Sequence, residues 1–307
     1  MSSTNQHMQN CSTTNNQSIT GKQYVRQSRM RIVMHHLRKN KGAMVGLFII
    51  LAIVFVAIFA DVIFDYDKDV VGIDISRKLL RPSWEHPFGT DDLGRDILSR
   101  ILYGSRFSVS VGVVATLIGL GIGVIFGAIA GYYCGIAEDI IMRINDVVSA
   151  VPSILMGIVI VSALGATTFN LMLAIGITSV PQFVRITRAS VLTVRNQEYI
   201  EALHATGISE FRIIAFHVLP NCLSPIIVQA TLRIASAIIA ASSLSFLGLG
   251  VPAPAPEWGS MLSLGRQYVR TASYLTIFPG LAILITVLAF NLLGDGLRDA
   301  IDPKLKK

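Results

Sequence analysis

Residues 201–221, EALHATGISEFRIIAFHVLPN, form a polar island between two long apolar runs. The pattern predicts two short helices around a glycine. The first covers residues 198–206, and Gly207 supplies a turn where a left-handed backbone meets no Cβ. Ser209 stands where an N-cap is wanted, and Phe211, Ile214, Ala215 and Val218 recur at i, i+3, i+4 and i+7 of the second helix. Pro220 is expected to end that helix, because proline lacks the N–H and collides with the preceding turn. A DNA-binding helix-turn-helix or a free interfacial hairpin shares this outline. The apolar run 223–247 follows at once, so the second helix is not free to lie in a DNA groove.

Apolar runs of that kind recur along the chain. It is 52% hydrophobic and 15% charged, with a mean hydropathy of +0.60. Crossing a hydrocarbon core of roughly 30 Å takes about 20 mostly apolar residues. Six segments qualify: 43–64, 107–132, 140–164, 169–186, 223–247 and 274–293. The expectation is an all-α, polytopic membrane helix bundle with six transmembrane helices. Pro181 and Gln182 interrupt the fourth segment, which a span tolerates where neighbours re-satisfy the freed carbonyl.

Orientation follows from the basic residues. Lys22, Arg26, Arg29, Arg31, Arg38, Lys39 and Lys41 precede the first run, with no acidic residue among them. The positive-inside rule then puts the N-terminus in the cytoplasm, and an even number of spans returns the C-terminus to the same side. The net charge of +7 is thus accounted for by topology and lipid headgroups, without nucleic acid. The first run begins too late and lacks a small-x-small site, so it does not read as a cleavable signal peptide. Residues 1–20 are polar and poor in apolar side chains, and disorder is expected there. Cys11, Cys134 and Cys222 are scattered and read as reduced structural residues.

Between the first two runs, HPFGTDDLGRDILSRILYGSR (residues 86–106) passes from turn formers into an amphipathic helix that Thr90 or Asp91 could cap. Asp91, Asp92, Arg95 and Asp96 read as solvated charges. Carboxylates separated by an arginine, with no histidines at ligand spacing, argue against a metal site. In the second run Ala115, Gly119, Gly123, Gly127 and Gly131 recur every four residues, making a smooth helix face for close packing, either within the subunit or at a dimer seam. Arg233 is the one charge well inside a run. Burying it costs at least about 2.5 kcal/mol, so it is expected to line a pathway or make an interhelical polar contact.

The loop resembles the EAA coupling loop of bacterial ABC importer permeases, pattern E-A-A-x3-G-x9-I-x-L-P. Glu201, Ala202, Gly207, Leu219 and Pro220 match it, while Leu203 and His217 depart from it. The stretch 86–106, LSFLGLG (residues 244–250), PEWG (residues 256–259) and NLLGDGLRDAIDP (residues 291–303) are similar to the C-type transmembrane subunit of the oligopeptide/dipeptide/nickel branch. The family's acidic residue before LSFLGLG is absent, since Ala241, Ser242 and Ser243 stand there.

The resemblance implies a type I ABC importer permease fold, with a tail at 1–30, a permease domain at 31–307, an outside segment at 65–106 and a cytoplasmic coupling hairpin at 198–221. Glu201, Ala202, Ala205, Gly207, Leu219 and Pro220 would contact a cytoplasmic ATPase. The implied partners are a homologous permease subunit, two ATPases and an extracytoplasmic binding protein. The implied cargo is a di- or oligopeptide, with nickel, a metal–chelator complex or glutathione as alternatives. No cofactor is expected on this chain, because ATP and magnesium belong to the ATPases.

Other classes fit poorly. The chain has no G-x4-G-K-[ST], no H-E-x-x-H and no serine elbow. Asp67 and Asp295 fall at opposite membrane faces, too far apart to share a proton. A stand-alone carrier would want paired intramembrane charges and inverted repeats. Only Arg233 and Asp146 are candidates for such charges.

Overall fold

In a computed structural model the described residues are 29–301. The tail expected to be disordered, through residue 28, and Cys11 lie outside them. Helix α1 (Arg29–Lys39) leads into α2 (Lys41–Ile63), which Asn40 caps by accepting from the Ala43 amide at 3.1 Å. Phe48, Phe55, Ile58 and Val62 of α2 remain exposed, as suits a helix with one side in lipid. Its far end is tied to the next span through Asp61, which accepts from the Tyr103 hydroxyl at 2.6 Å and from Arg106 at 2.6 Å.

Helix α3 (Ile97–Tyr133) starts well before its apolar run. Its cap is Asp96, accepting from the Ser99 amide at 2.9 Å, and neither Thr90 nor Asp91. Those two side chains are engaged inside the preceding loop. Thr90 Oγ1 accepts from the Leu80 amide at 2.9 Å, and Asp91 Oδ1 accepts from the Leu93 and Arg95 amides, each at 2.9 Å.

The segment expected to be one straight third span is broken. Helices α4 (Gly135–Ala150) and α5 (Ser153–Leu164) meet at 89°. Pro152 explains the break, since its ring excludes the α region for the residue before it. Val151 accordingly sits at φ −88°, ψ 128°. Helix α6 (Thr168–Arg195) instead continues without a break through a buried Pro181. Two ion pairs strap α4 to α6: Arg185 to Asp146 at 3.0 Å, and Arg188 to Glu138.

After the short α7 (Glu198–Ala205) come α8 (Glu210–Ile213), a π-helical turn (Ile214–Val218) and α9 (Leu219–Phe246). Helices α10 (Trp258–Gly265) and α11 (Tyr274–Ile301) complete the chain. Among the described residues, five single helices are long and apolar enough to cross a membrane, and the bent α4–α5 pair is the sixth candidate.

The core is built where α3, α5, α6 and α9 meet, around Val111, Ala115, Val161, Leu171, Ile175, Ala237 and Leu244. The glycine face of α3 lies along α6 of the same chain. A Cβ on Gly119 would meet Ser179 Cβ at 2.7 Å, one on Gly127 would meet Thr187 Cβ at 2.7 Å, and one on Gly131 would meet Val191 Cβ at 2.9 Å. At Gly123 the added atom would press on Phe183 Cβ. Without water to drive helices together, such backbone contact is a main source of cohesion in lipid.

Gly123→Leu is therefore expected to destabilise the bundle by about 1–3 kcal/mol through overpacking. Gly121, with nothing within 4 Å of an added Cβ, should accept alanine without loss. Thermal unfolding of the two variants in detergent checks this, and equal midpoints would refute the stripe's role.

Candidate functional site

The hairpin at 198–221 has a buried underside and an exposed tip. Ile200, Ile213, Val218 and Cys222 pack with Ala128, Tyr132, Val191 and Val194 at the ends of α3 and α6. The apolar spacing of the second limb is thus centred on Ile213 and Val218. Phe211, expected on the inner face, is 77% exposed, and Phe216 is 69% exposed. Glu201, Ala202 and Ala205 are all exposed, sharing one face of α7 and leading to Gly207 at φ +76°. A Cβ there would meet nothing within 4 Å, so the glycine answers to backbone conformation and not to crowding.

Polar contacts hold the two limbs. The Tyr199 hydroxyl donates to the His217 carbonyl at 3.3 Å and accepts from Asn221 Nδ2 at 3.1 Å. Asn221 also donates to the His217 carbonyl at 2.7 Å. The Tyr132 hydroxyl of α3 meets His204 Nε2 at 3.1 Å. Ser209 occupies the N-cap position of α8, but its side chain makes no capping bond.

Pro220 does not stop the second limb. It is the second residue of α9, and the chain runs as one helix over Glu210–Phe246, so the missing N–H falls within a helix just after a π turn. The π turn takes up the mismatch, with the Leu219 amide reaching back to the Ile214 carbonyl. Leu219 is half-buried against the hairpin core, and Pro220 is exposed, away from the Gly207 tip.

Midway along α9, half-buried Arg233 donates from Nε to Ser179 Oγ on α6 at 2.9 Å. One turn earlier, Gln229 Nε2 donates to Gln182 Oε1 at 3.4 Å. Both contacts join α6 to α9 at mid-span. Gln182 entered the sequence reading only as an interruption, and Gln229 not at all. Their positions relative to Arg233, one helix turn away or across the groove, were the available signal.

At the end of the bundle away from the hairpin, two of the four charges expected to be solvated are buried: Asp91 is 8% exposed and Arg95 6%, while Asp92 and Asp96 are half-buried. Arg100, further along in α3, is 2% exposed. Arg95 Nε donates to Asp91 Oδ2 at 2.7 Å, and Arg100 donates to the Val70 carbonyl at 2.7 Å. Within PEWG, buried Glu257 caps α10, accepting from the Gly259 amide at 2.9 Å and the Ser260 amide at 2.8 Å. Trp258 Nε1 donates to the Ile101 carbonyl at 2.9 Å. These residues lock loops to α3, a role that motif matching alone does not disclose. Among the described residues, no group of three His, Cys, Asp or Glu side chains could hold a metal ion.

Replacing Tyr199 by phenylalanine removes two hydrogen bonds and is expected to weaken the hairpin by about 1 kcal/mol. Amide hydrogen exchange across α7 should quicken several-fold with the rest of the bundle unchanged; unaltered exchange would contradict the stapling role.

Comparison with known proteins gives this geometry its family. Residues 123–307 match the model for the binding-protein-dependent transport system inner membrane component. Residues 28–82 match the N-terminal TM domain of oligopeptide transport permease C. The chain is 48% identical over 284 residues to the dipeptide transport system permease protein DppC of Alkalihalophilus pseudofirmus, covering 92% of this chain and 93% of the relative. It is 46% identical to the di/tripeptide transport system permease protein DppC of Pseudomonas aeruginosa, over 87% of this chain and 89% of that one. To the glutathione transport system permease protein GsiD of Pectobacterium atrosepticum it is also 46% identical, over 88% and 89%. Among solved structures, a chain of the inward-facing MetNI methionine ABC transporter superposes with a TM-score of 0.55 at 16% identity, covering 67% of this chain and 98% of that chain. The chain therefore belongs to the family of inner-membrane components of binding-protein-dependent transport systems, a permease subunit with the type I ABC importer fold.

Proposed function

We propose that this chain is the C-type permease of a peptide importer in a bacterial cytoplasmic membrane, moving di- or oligopeptides by alternating access. It works beside a homologous permease, two cytoplasmic ATPases and an extracytoplasmic binding protein. Both termini face the cytoplasm. The chain binds no nucleotide or metal; ATP and magnesium are used by the ATPases. Relatives named for dipeptides and di/tripeptides support the cargo, and glutathione, itself a tripeptide, is the nearest alternative.

One observation carries the mechanism: the hairpin's second limb and the fifth span are a single helix, Glu210–Phe246. At 1.5 Å per residue its 37 residues extend about 55 Å. The exposed Phe211 and Phe216 beside the Gly207 turn offer an ATPase cleft an apolar grip. Closure of the ATPases then moves the hairpin. Because Ile213 and Val218 are packed onto α3 and α6, the displacement passes to the bundle as rigid helices instead of being lost in a loop. Glu201, Ala202 and Ala205 form the other exposed wall of that contact.

Gly207→Val tests the coupling. A β-branched residue resists the left-handed turn by about 1–2 kcal/mol, so membrane levels should hold while ATP-driven uptake is abolished. Wild-type uptake by a normally expressed variant would remove the coupling role. Topology has its own test, in a background without Cys11, Cys134 and Cys222. A single cysteine at exposed Ser83 should label from outside intact cells, and one at exposed Ser209 only after permeabilisation. Labelling of both from the same side would overturn the orientation.

A further inference from the structure

We infer that Arg233, held by Ser179 and flanked by Gln182 and Gln229, is a recognition site for the carboxylate of the transported peptide. This rests on the peptide-importer reading above. It adds a chemical contact between permease and cargo at the centre of the spans.

Depth comes first. Arg233 lies about 21 Å from Leu219 and about 20 Å from Phe246 along α9, at 1.5 Å per residue. Its partner Ser179 is likewise near the middle of α6. A guanidinium at this depth cannot easily reach either headgroup layer, and its charge needs an answering group.

The protein answers only part of it. A guanidinium carries five N–H donors and cannot lose its proton. Among the described residues the Nε–H alone is engaged, by the Ser179 hydroxyl, and this fixes the plane of the fork. Arg233 has no acidic partner among the described residues, whereas two of the three α6 arginines do: Arg185 pairs with Asp146 and Arg188 with Glu138, while Arg195 donates to Cys134 Sγ. The terminal nitrogens are thus left with the geometry that carboxylates take in bidentate fashion.

The neighbours extend the same chemistry. Gln229, Arg233 and Ser236 fall at i, i+4 and i+7, on one face of α9. Ser236 and Gln182 are exposed, so this face opens away from the packed core. The Gln229–Gln182 bond uses one amide N–H and one carbonyl. It leaves the Gln182 amide to donate and the Gln229 carbonyl to accept. Together they match the C=O and N–H of a peptide unit, one helix turn from where the carboxylate would sit. Polar side chains that bind main-chain groups and a terminus are indifferent to cargo sequence, which suits a pathway for varied peptides.

The test uses the whole complex in proteoliposomes, with permease partner, ATPases and binding protein. The probes are dialanine and dialanine amide, each at a concentration that saturates the binding protein by separate titration. With wild-type Arg233, dialanine should be taken up faster than its amide. Arg233→Leu should cut dialanine uptake about tenfold or more, the scale of one charge-assisted pair, and leave the amide within about twofold. Arg233→Lys should restore part of the preference, as a point charge lacks the fork. Equal losses for both probes would overturn the inference, marking Arg233 as a structural contact, for instance to a carboxylate of the companion permease. Unchanged uptake of both would overturn it too, leaving a tolerated charge. A wild-type complex that carries neither probe would refute the peptide-importer reading itself, a result distinct from either.

Discussion

Close backbone contact between α3 and α6 is the constraint on which both functional regions depend. In lipid no water-driven force gathers the helices, so cohesion comes from atoms that approach closely. The glycines on α3 let α6 lie against bare backbone, and each contact has a neighbour of consequence. Gly119 faces Ser179, the residue that orients Arg233, and Gly131 faces Val191, which belongs to the core under the hairpin. A methyl group at either position would press on Ser179 or Val191 of α6. The stripe therefore does more than join two helices: it sets the register of the membrane-centre contact and of the hairpin seat at once.

The second constraint is continuity through Pro220. A proline after a short amphipathic helix ordinarily argues for a stop. Here the preceding π turn supplies one extra residue, so hydrogen bonding resumes past the position that cannot donate. The consequence is mechanical. A break would leave a loop between hairpin and span, and loops absorb displacement. A wide turn inside a continuous helix keeps axial stiffness while rotating the face presented, which is why Ile213 and Val218 are buried and Phe211 and Phe216 are not.

This contrast explains what was legible in the amino-acid sequence. Long apolar runs and the glycine repeat report directly on lipid and packing, and among the described residues five helices long and apolar enough to cross a membrane overlie five of the six apolar runs. The type I permease fold followed from the order of motifs and not from any one of them. Gly207 at φ +76° is the conformation its residue type suggested. Prolines were harder to read, because their effect depends on context. Pro181 sits inside an unbroken helix, Pro220 just after a widened turn, and Pro152 at a sharp bend. Only at Pro152 did the preceding residue adopt the extended backbone that proline favours. Asp91 and Arg95 read as solvated charges for a related reason. Asp91, Arg95 and Arg100 satisfy one another and nearby backbone, and such mutual satisfaction makes burial possible without leaving a mark in composition.

The distribution of satisfied polar groups separates the fixed parts of the molecule from the parts that meet something else. At the end away from the hairpin, the Asp91 carboxylate accepts from two amides and a guanidinium, and Glu257 accepts from two amides while its neighbour Trp258 anchors to α3. Breaking a buried pair of this kind costs about 3–5 kcal/mol, so these residues resist rearrangement. Arg233 is different: its Nε–H is bonded, the residue is half-buried, and it sits at a depth where leaving the rest of its charge unanswered is costly. The hairpin tip differs again, exposing two phenylalanines over a tightly packed underside. A bundle built only to be stable would bury the phenylalanines and pair the arginine. On the proposed reading, the anion-seeking group at mid-helix and the apolar grip at one end stand on the same continuous helix, so that cargo contact and drive would share one rigid body. Motion imposed at Phe211 and Phe216 would then change the surroundings of Arg233 without a flexible link between them.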